Sequence, residues 1–267
     1  MKHSPSEDIN FDLLAAKFQK KVYGRLKGKI RLAVLERDLS DAIPDLFTAS
    51  NRNGLEILDA GSGSGPFSLN LAGYGHSVTL CDISEQMLAS ARAFIEEHRL
   101  EANTQIVHSS IQDLSADHDA AYDLILCHAV LEWVNDPQKI IGKLSQCLKP
   151  AGILSITFYN IHGLIYKNLL RSNYKKIIKQ DFQGWPGSLT PPNPLDPQIV
   201  LTWFETHLLT LLHHSGIRVF HDYVLDLEDQ SRQPEIALMM ELEFSTRQPY
   251  RDLGRYQHLV YQKANTI

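Results

Sequence analysis

The chain has 267 residues, 43% of them hydrophobic, and a formal net charge of −5. That length suits one α/β domain with additions and allows a substantial core, while the acidic balance argues against wholesale coating by nucleic acid. No apolar run approaches the ~18 residues of a membrane span, the polar opening residues 1–8 read as no signal peptide, and Cys81, Cys127 and Cys147 lack metal-ligand spacing, which points to reduced thiols and no metal site.

Residues 8–50 read as helical, with Leu13, Leu14, Phe18 and Val22 at helical spacing and Gly24 and Gly28 as breaks. This stretch forms an N-terminal helical extension, 1–50, ahead of a main domain, 51–267. Within it, between Lys17 and Arg31, lies a basic cluster: Lys17, Lys20, Lys21, Arg25, Lys27, Lys29 and Arg31 occur with no acid among them. After a polar link, the apolar run Leu55–Leu58 enters the turn Asp59-Ala60-Gly61-Ser62-Gly63-Ser64-Gly65-Pro66. Its glycines let the backbone turn tightly and approach a ligand, and Pro66 suits the first position of a helix. A nucleotide-like ligand there would meet bare backbone donors at the helix start. A dinucleotide fingerprint would need a third glycine where Pro66 stands, which disfavours a nicotinamide dehydrogenase.

His76–Asp82 reads as a second strand ending in an acid about 20 residues beyond the turn, where a carboxylate can accept ribose hydroxyls or cap a helix. Ser84 already caps a helix over Glu85–His98 that places Met87, Leu88, Ala91, Phe94 and Ile95 on one face. Gln105–Asp113 is a third strand and its exit loop, and Tyr122–His128 is a buried strand with a polar residue at its carboxyl end. Asp136-Pro137 opens a crossover helix, and Leu148–Ile156 gives a fifth strand. Alternation of strand and helix implies parallel strands with right-handed crossovers.

Residues 159–195 form a long, polar, proline-rich connection carrying a second basic cluster, Lys167, Arg171, Lys175, Lys176 and Lys179. A connection of this length is usually functional, and localised basic clusters on an acidic chain suit an anionic partner. Asp196-Pro197 opens a helix expected to end near Gly216, with His213 and His214 at its C-terminus. Ile217–Tyr223 reads as a strand, Pro234–Thr246 as a helix, and Tyr256–Gln262 as the last strand.

The pattern D-x-G-x-G-x-G at Asp59–Gly65, followed by Asp82, Ile111-Gln112-Asp113 and His128, resembles the class I S-adenosylmethionine methyltransferases. The resemblance implies an α/β fold with a Rossmann-like seven-stranded sheet, mostly parallel with an antiparallel last strand and helices on both faces. It implies that Asp59 anchors the loop or meets the cofactor amino group, that Gly61, Ser62 and Gly63 pack on the cofactor, that Asp82 takes the ribose, and that Ile111, Gln112 and His128 complete the site. Outer stretches resemble more narrowly the bacterial tRNA 5-carboxymethoxyuridine methyltransferase family: Val22-Tyr23-Gly24 with Lys27-Gly28 and Arg31, His128–Val134, Phe158-Tyr159-Asn160, Arg218–Tyr223, and Leu253-Gly254-Arg255-Tyr256. This implies methyl transfer to the wobble-uridine carboxylate in a tRNA anticodon loop, a cytoplasmic setting, no membrane, and Arg31 on the cofactor carboxylate. A carboxylate needs no general base, so no catalytic proton-transfer residue is expected. Arg218 is the candidate cation for the substrate carboxylate, with Tyr159, Asn160 and His221 beside it. Trp133, Tyr159 and Trp185 are candidates for stacking on bases. The alternative is a methyltransferase acting on a carboxyl or oxygen of a small molecule.

Overall fold

The computed structural model describes residues 26–49, 54–182 and 190–265, together with Asp8, Asn10 and Asp12. The helical reading of residues 13–25, the basic residues Lys17 to Arg25, the link 50–53 and the stacking candidate Trp185 lie outside the described residues.

Helix α1 (Leu26–Ala42) precedes the sheet. Gly28 does not break it; it is a buried position inside the helix, where glycine costs about 1 kcal/mol relative to alanine. The core then alternates as read: β1 (Glu56–Ala60), α2 (Pro66–Gly73), β2 (Ser77–Asp82), α3 (Glu85–His98), β3 (Thr104–His108), β4 (Tyr122–His128), α4 (Pro137–Cys147) and β5 (Leu148–Tyr159). Local caps set these boundaries. Ser84 Oγ accepts the Met87 N–H, and Asp136 accepts the Lys139 N–H ahead of Pro137.

The connection after β5 is not a plain loop. Asn160 caps α5 (Ile161–Leu170), and α6 (Tyr174–Ile178) follows. The excursion is closed at its base where Leu195 N–H donates to the Tyr159 carbonyl at 2.8 Å and Ile161 N–H to the Leu195 carbonyl at 3.0 Å. Asp196-Pro197 does open a helix, α7, but it ends at Thr202. The segment expected to continue it is a strand, β6 (Leu209–Ile217), so His213 and His214 sit in a sheet and not at a helix end. Pairing with the last strand overrides local helical preference here. His214 Nε2 lies 2.8 Å from Gln257 Oε1 across that pair. Consequently Ile217–Tyr223 is no strand; it is the turn leaving β6, with Arg218 at φ +59°. Helices α8 (Leu227–Arg232) and α9 (Pro234–Phe244) lead to β7 (Tyr256–Lys263).

The sheet order is β3-β2-β1-β4-β5-β7-β6. β7 runs antiparallel to both β5 and β6, and the other pairs are parallel. One apolar core joins α1, α2 and α3 to one face through Leu39, Leu69 and Ile95. The other joins α4 and the α7 region through Ile140, Leu144 and Phe204. The three cysteines are buried and free.

Candidate active site

Strand order reverses between β1 and β4, and a crevice opens at the carboxyl ends of the strands there, the position where α/β sheets bind ligands. A cavity of about 260 Å³ occupies it. The glycine turn forms one wall. Gly61, Gly63 and Gly65 have φ of +74°, +56° and +64°, values that L side chains adopt at a cost. An added Cβ on Gly61 would lie 2.4 Å from Val130 Cγ2, and one on Gly65 would lie 2.1 Å from Leu80 Cδ2. At Gly63 the nearest atom would be Met87 Sδ at 4.0 Å, so this glycine borders open cavity space.

Four N–H groups of the turn itself are already taken, while the helix start at Pro66 has no side-chain cap. Gly61 and Ser62 N–H both donate to the Cys81 carbonyl, at 2.8 and 3.1 Å, and Gly65 N–H donates to the Ser62 carbonyl. Gly63 N–H donates to Asp82 Oδ2 at 2.7 Å. At these four positions the glycine turn offers a ligand its shape and not hydrogen bonds, which fits an uncharged ribose and thioether-like surface better than a pyrophosphate.

Asp82 does more than stand at a strand end. Its Oδ1 accepts the Ser84 N–H at 2.8 Å, so one carboxylate braces both the turn and the start of α3. Each oxygen keeps a further lone pair for a ligand hydroxyl. Burial raises its pKa, against the lowering pull of the Ser84 and Gly63 N–H groups. Asp59 lies below the turn and accepts the Ser68 hydroxyl at 2.5 Å. Burial, opposed by Ser68 and reinforced by the charge of Asp82, pushes Asp59 up to about 7.

Cations converge from the other side. Arg31 of α1 stacks its guanidinium 4.3 Å from the Tyr256 ring centre, and Arg218 lies 5.5 Å from the same ring. Lys27, Arg31, Arg218 and Tyr256 all line the cavity. Acids from β1 and β2 and cations from α1 and the β6 turn thus face one space, a distribution suited to a zwitterionic ligand. Ile111 and Gln112 form a further wall with Trp133 and Val134. Gln112 Nε2 donates to Asp8 Oδ2 at 2.9 Å, and Asn135 N–H donates to Asp8 Oδ1 at 2.8 Å, so Asp8 ties two rim segments together. His128 lines the cavity with Nε2 turned to Ser155 Oγ at 2.8 Å. Burial above all, with the Arg31 charge nearby, holds its pKa well below the usual range, so the ring is neutral.

Every residue assigned from sequence to the cofactor lines this cavity: Arg31, Asp59, Gly61, Ser62, Gly63, Asp82, Ile111, Gln112 and His128. The substrate set divides. Arg218 lines the cavity; Tyr159, Asn160 and His221 do not. The Asn160 carboxamide is fully used: it donates to the Asp252 and Gly254 carbonyls, both at 2.8 Å, and accepts the His162 N–H at 3.0 Å. Tyr159 packs edge-on behind Tyr256, at 5.4 Å, with Arg255 4.6 Å from its ring centre. His221 is buried, and its N–H donates to Glu241 Oε1 at 2.7 Å.

Several residues escaped the sequence reading. Buried Glu241 also accepts the Val219 and Phe220 N–H groups, at 2.7 and 3.1 Å, and so fixes the turn that carries Arg218. Asp222, 4% exposed, pairs with Lys27 at 3.1 Å, Arg218 at 3.7 Å and Arg255 at 3.8 Å. Burial opposes its ionisation, but these cations outweigh it and hold the carboxyl far below the usual range. Lys167 is not part of a solvated face; burial pushes it down to about 8. In the sequence only the Arg218-x-x-x-Asp222 spacing and Arg255 in the tail bear on this cluster.

Comparison with known proteins places these features. Residues 58–156 match the Methyltransferase domain family model. A tRNA 5-carboxymethoxyuridine methyltransferase from Escherichia coli K12 is 37% identical over 260 residues, covering 97% of this chain and 98% of the relative. A ubiquinone biosynthesis O-methyltransferase from Xanthomonas oryzae pv. oryzae is 34% identical over 109 residues, 40% of this chain and 44% of the relative. Among solved structures, magnesium protoporphyrin IX methyltransferase from Synechocystis PCC 6803 with bound SAH superposes with a TM-score of 0.62 at 17% identity, covering 95% of this chain and 96% of that one.

Proposed function

This chain belongs to the tRNA 5-carboxymethoxyuridine methyltransferase family, and from that premise we propose that it esterifies the carboxylate of 5-carboxymethoxyuridine at the tRNA wobble position with a methyl group from S-adenosylmethionine. The observation that carries the reading is the charge split of the cavity. Asp59 and Asp82 stand at the β1 and β2 ends, where a cationic, ribose-bearing cofactor fits. Arg31 and Arg218 stand opposite, one for the cofactor carboxylate and one for the substrate carboxylate.

Bound S-adenosylmethionine supplies a methyl group already activated by its sulfonium. The acceptor carboxylate is ionised at neutral pH, so the chain's residues need only bind and align it. Asp82 and the glycine turn hold the ribose side. Neutral His128 and the apolar Ile111 and Trp133 wall exclude water, and Arg218 orients the incoming carboxylate. Alignment of this kind accounts for roughly 7–11 kcal/mol of barrier reduction in well-oriented systems. The RNA lies over α5 and α6, where Arg171, Lys175, Lys176 and Lys179 are exposed beside exposed Tyr166 and Tyr174. Such cations neutralise phosphates, and tyrosines stack on unpaired bases. No helix among the described residues is long and apolar enough to cross a membrane, and we assign the enzyme to the cytoplasm with its tRNA.

The test is mass spectrometry of wobble nucleosides from cells lacking this protein. The methyl ester should vanish and its free acid accumulate; unchanged ester levels would overturn the reading.

A further inference from the structure

A buried polar chain runs from the cavity through the sheet to α1. His128 Nε2 lies 2.8 Å from Ser155 Oγ, and Ser155 Oγ lies 2.8 Å from His258 Nε2. His258 Nδ1 lies 2.7 Å from Asp38 Oδ2. Asp38 Oδ1 in turn accepts Arg37 Nε and Nη2, at 2.9 and 2.6 Å. Ser155 and His258 are 0% exposed and Asp38 1%. The Asp–His–Ser order is that of a nucleophile triad, but the serine is sealed in the sheet and bonded on both sides, so it has no acyl acceptor to attack.

The proton positions in this chain follow from its far end. Burial opposes ionisation of Asp38, but the hydrogen bond from His258 and the Arg37 guanidinium outweigh it and lower the Asp38 pKa, so the carboxyl is ionised. An ionised carboxylate only accepts, so His258 Nδ1 must carry the proton. Arg37 already balances the Asp38 charge, and a second proton on His258 would leave an uncompensated charge in the core. His258 Nε2 is therefore a lone pair that accepts the Ser155 hydroxyl hydrogen. The Ser155 oxygen is then free to accept, and His128 Nε2 must be the donor. We infer that Asp38, through His258 and Ser155, fixes His128 as its Nε2–H tautomer, so that His128 presents an acceptor, Nδ1, to an N–H or O–H donor of the bound cofactor. Asp38 is thus a positioning residue on α1, the helix that also carries Arg31 and Lys27. The inference about the ligand rests on the cofactor reading above; the tautomer itself does not.

Asp38→Asn tests the direction of the chain with hardly any change in shape. Its carbonyl oxygen must stay on Arg37, so its amide nitrogen faces His258 Nδ1 and donates. Every hydrogen bond in the chain then reverses, and His128 Nδ1 becomes the protonated nitrogen. Long-range ¹H–¹⁵N correlation of the histidine rings reads this directly in the ligand-free full-length protein. The expected result is protonated Nε2 on His128 in the wild type and protonated Nδ1 in Asp38→Asn, with S-adenosylhomocysteine binding weakened about tenfold in calorimetry. Ser155→Ala cuts the chain without removing the Arg37–Asp38 pair, and serves if Asp38→Asn does not fold. It should leave His128 in a mixture of tautomers and weaken S-adenosylhomocysteine to a lesser degree. A wild-type His128 protonated at Nδ1, or the same single tautomer in wild type and folded variants, would overturn the inference. Failure of the wild type to bind S-adenosylhomocysteine would count against the cofactor reading alone, because the ligand-free spectra still decide the relay.

Discussion

Replacing Arg218 by methionine isolates the proposed role of its charge. The side chain is 16% exposed and lies along the Tyr256 ring, so methionine keeps most of the packing while removing the cation. Asp222 keeps Lys27 at 3.1 Å and Arg255 at 3.8 Å, so the variant should fold. A carboxylate about 4 Å from the guanidinium gains about 4 kcal/mol at an effective dielectric of 20. Desolvation and the competing Asp222 reduce this to roughly 2–3 kcal/mol, the usual worth of a hydrogen bond to a charged group. This is a ground-state contribution, so KM for the tRNA should rise about 30- to 150-fold and kcat/KM should fall by less than that. The acceptor oxygen loses negative charge as the ester forms, so the ion pair is stronger in the ground state than in the transition state. Steady-state rates with tRNA bearing 5-carboxymethoxyuridine should show a raised KM and an undiminished kcat, with S-adenosylhomocysteine affinity within about threefold of wild type. A folded variant with normal kcat/KM, or one that loses kcat at constant KM, would refute the assignment.

Two glycines of one turn should separate folding from binding. Gly65→Ala pushes a methyl against Leu80 and should cost about 2–4 kcal/mol of stability in urea, whereas Gly63→Ala should cost about 1 kcal/mol yet weaken S-adenosylhomocysteine at least tenfold in calorimetry; the opposite ranking would contradict the geometry. Asp222→Asn leaves Lys27, Arg218 and Arg255 without their shared anion, and should cost about 3–5 kcal/mol at pH 7. Because the folded carboxyl titrates below its unfolded value, that contribution is in place above pH ~4 and fades as pH falls below it; a variant as stable as wild type at pH 7 would remove the cluster from the account. Buried Glu132 behaves oppositely. Burial, only partly opposed by backbone hydrogen bonds and Arg31, pushes it up to about 7. Its protonated form favours the fold below the unfolded value near 4.5, and that advantage is lost as pH rises through 7. Glu132→Gln should therefore gain up to about 3 kcal/mol on wild type between pH 5 and pH 8.5 in urea melts, and parallel pH profiles would exclude the effect.

What was legible in the sequence is what neighbouring residues determine. The turn at Asp59–Pro66, the caps Ser84 and Asp136, and the strand ends at Asp82 and His128 are local signals, and the cavity collects them. β6 was not legible because Leu209–Ile217 is a strand only through its pairing with β7. Asn160 looked ready for a ligand; carbonyls more than 90 residues away consume its amide. Glu241 and the Asp38–His258 contact, 220 residues apart, carry no local pattern at all. The charge of the second basic cluster was visible, but not that Lys167 is half-buried while Arg171, Lys175, Lys176 and Lys179 are exposed.

The proposed reaction transfers a methyl group to one carboxylate of one nucleoside. Purified protein, S-adenosylmethionine labelled in its methyl group, and tRNA carrying 5-carboxymethoxyuridine at the wobble position are incubated, digested to nucleosides and resolved by mass spectrometry. Label should appear in a wobble methyl ester that mild base releases, and none on the same tRNA with unmodified uridine at that position. Label in a base-stable product, or equal label on the unmodified tRNA, would contradict it.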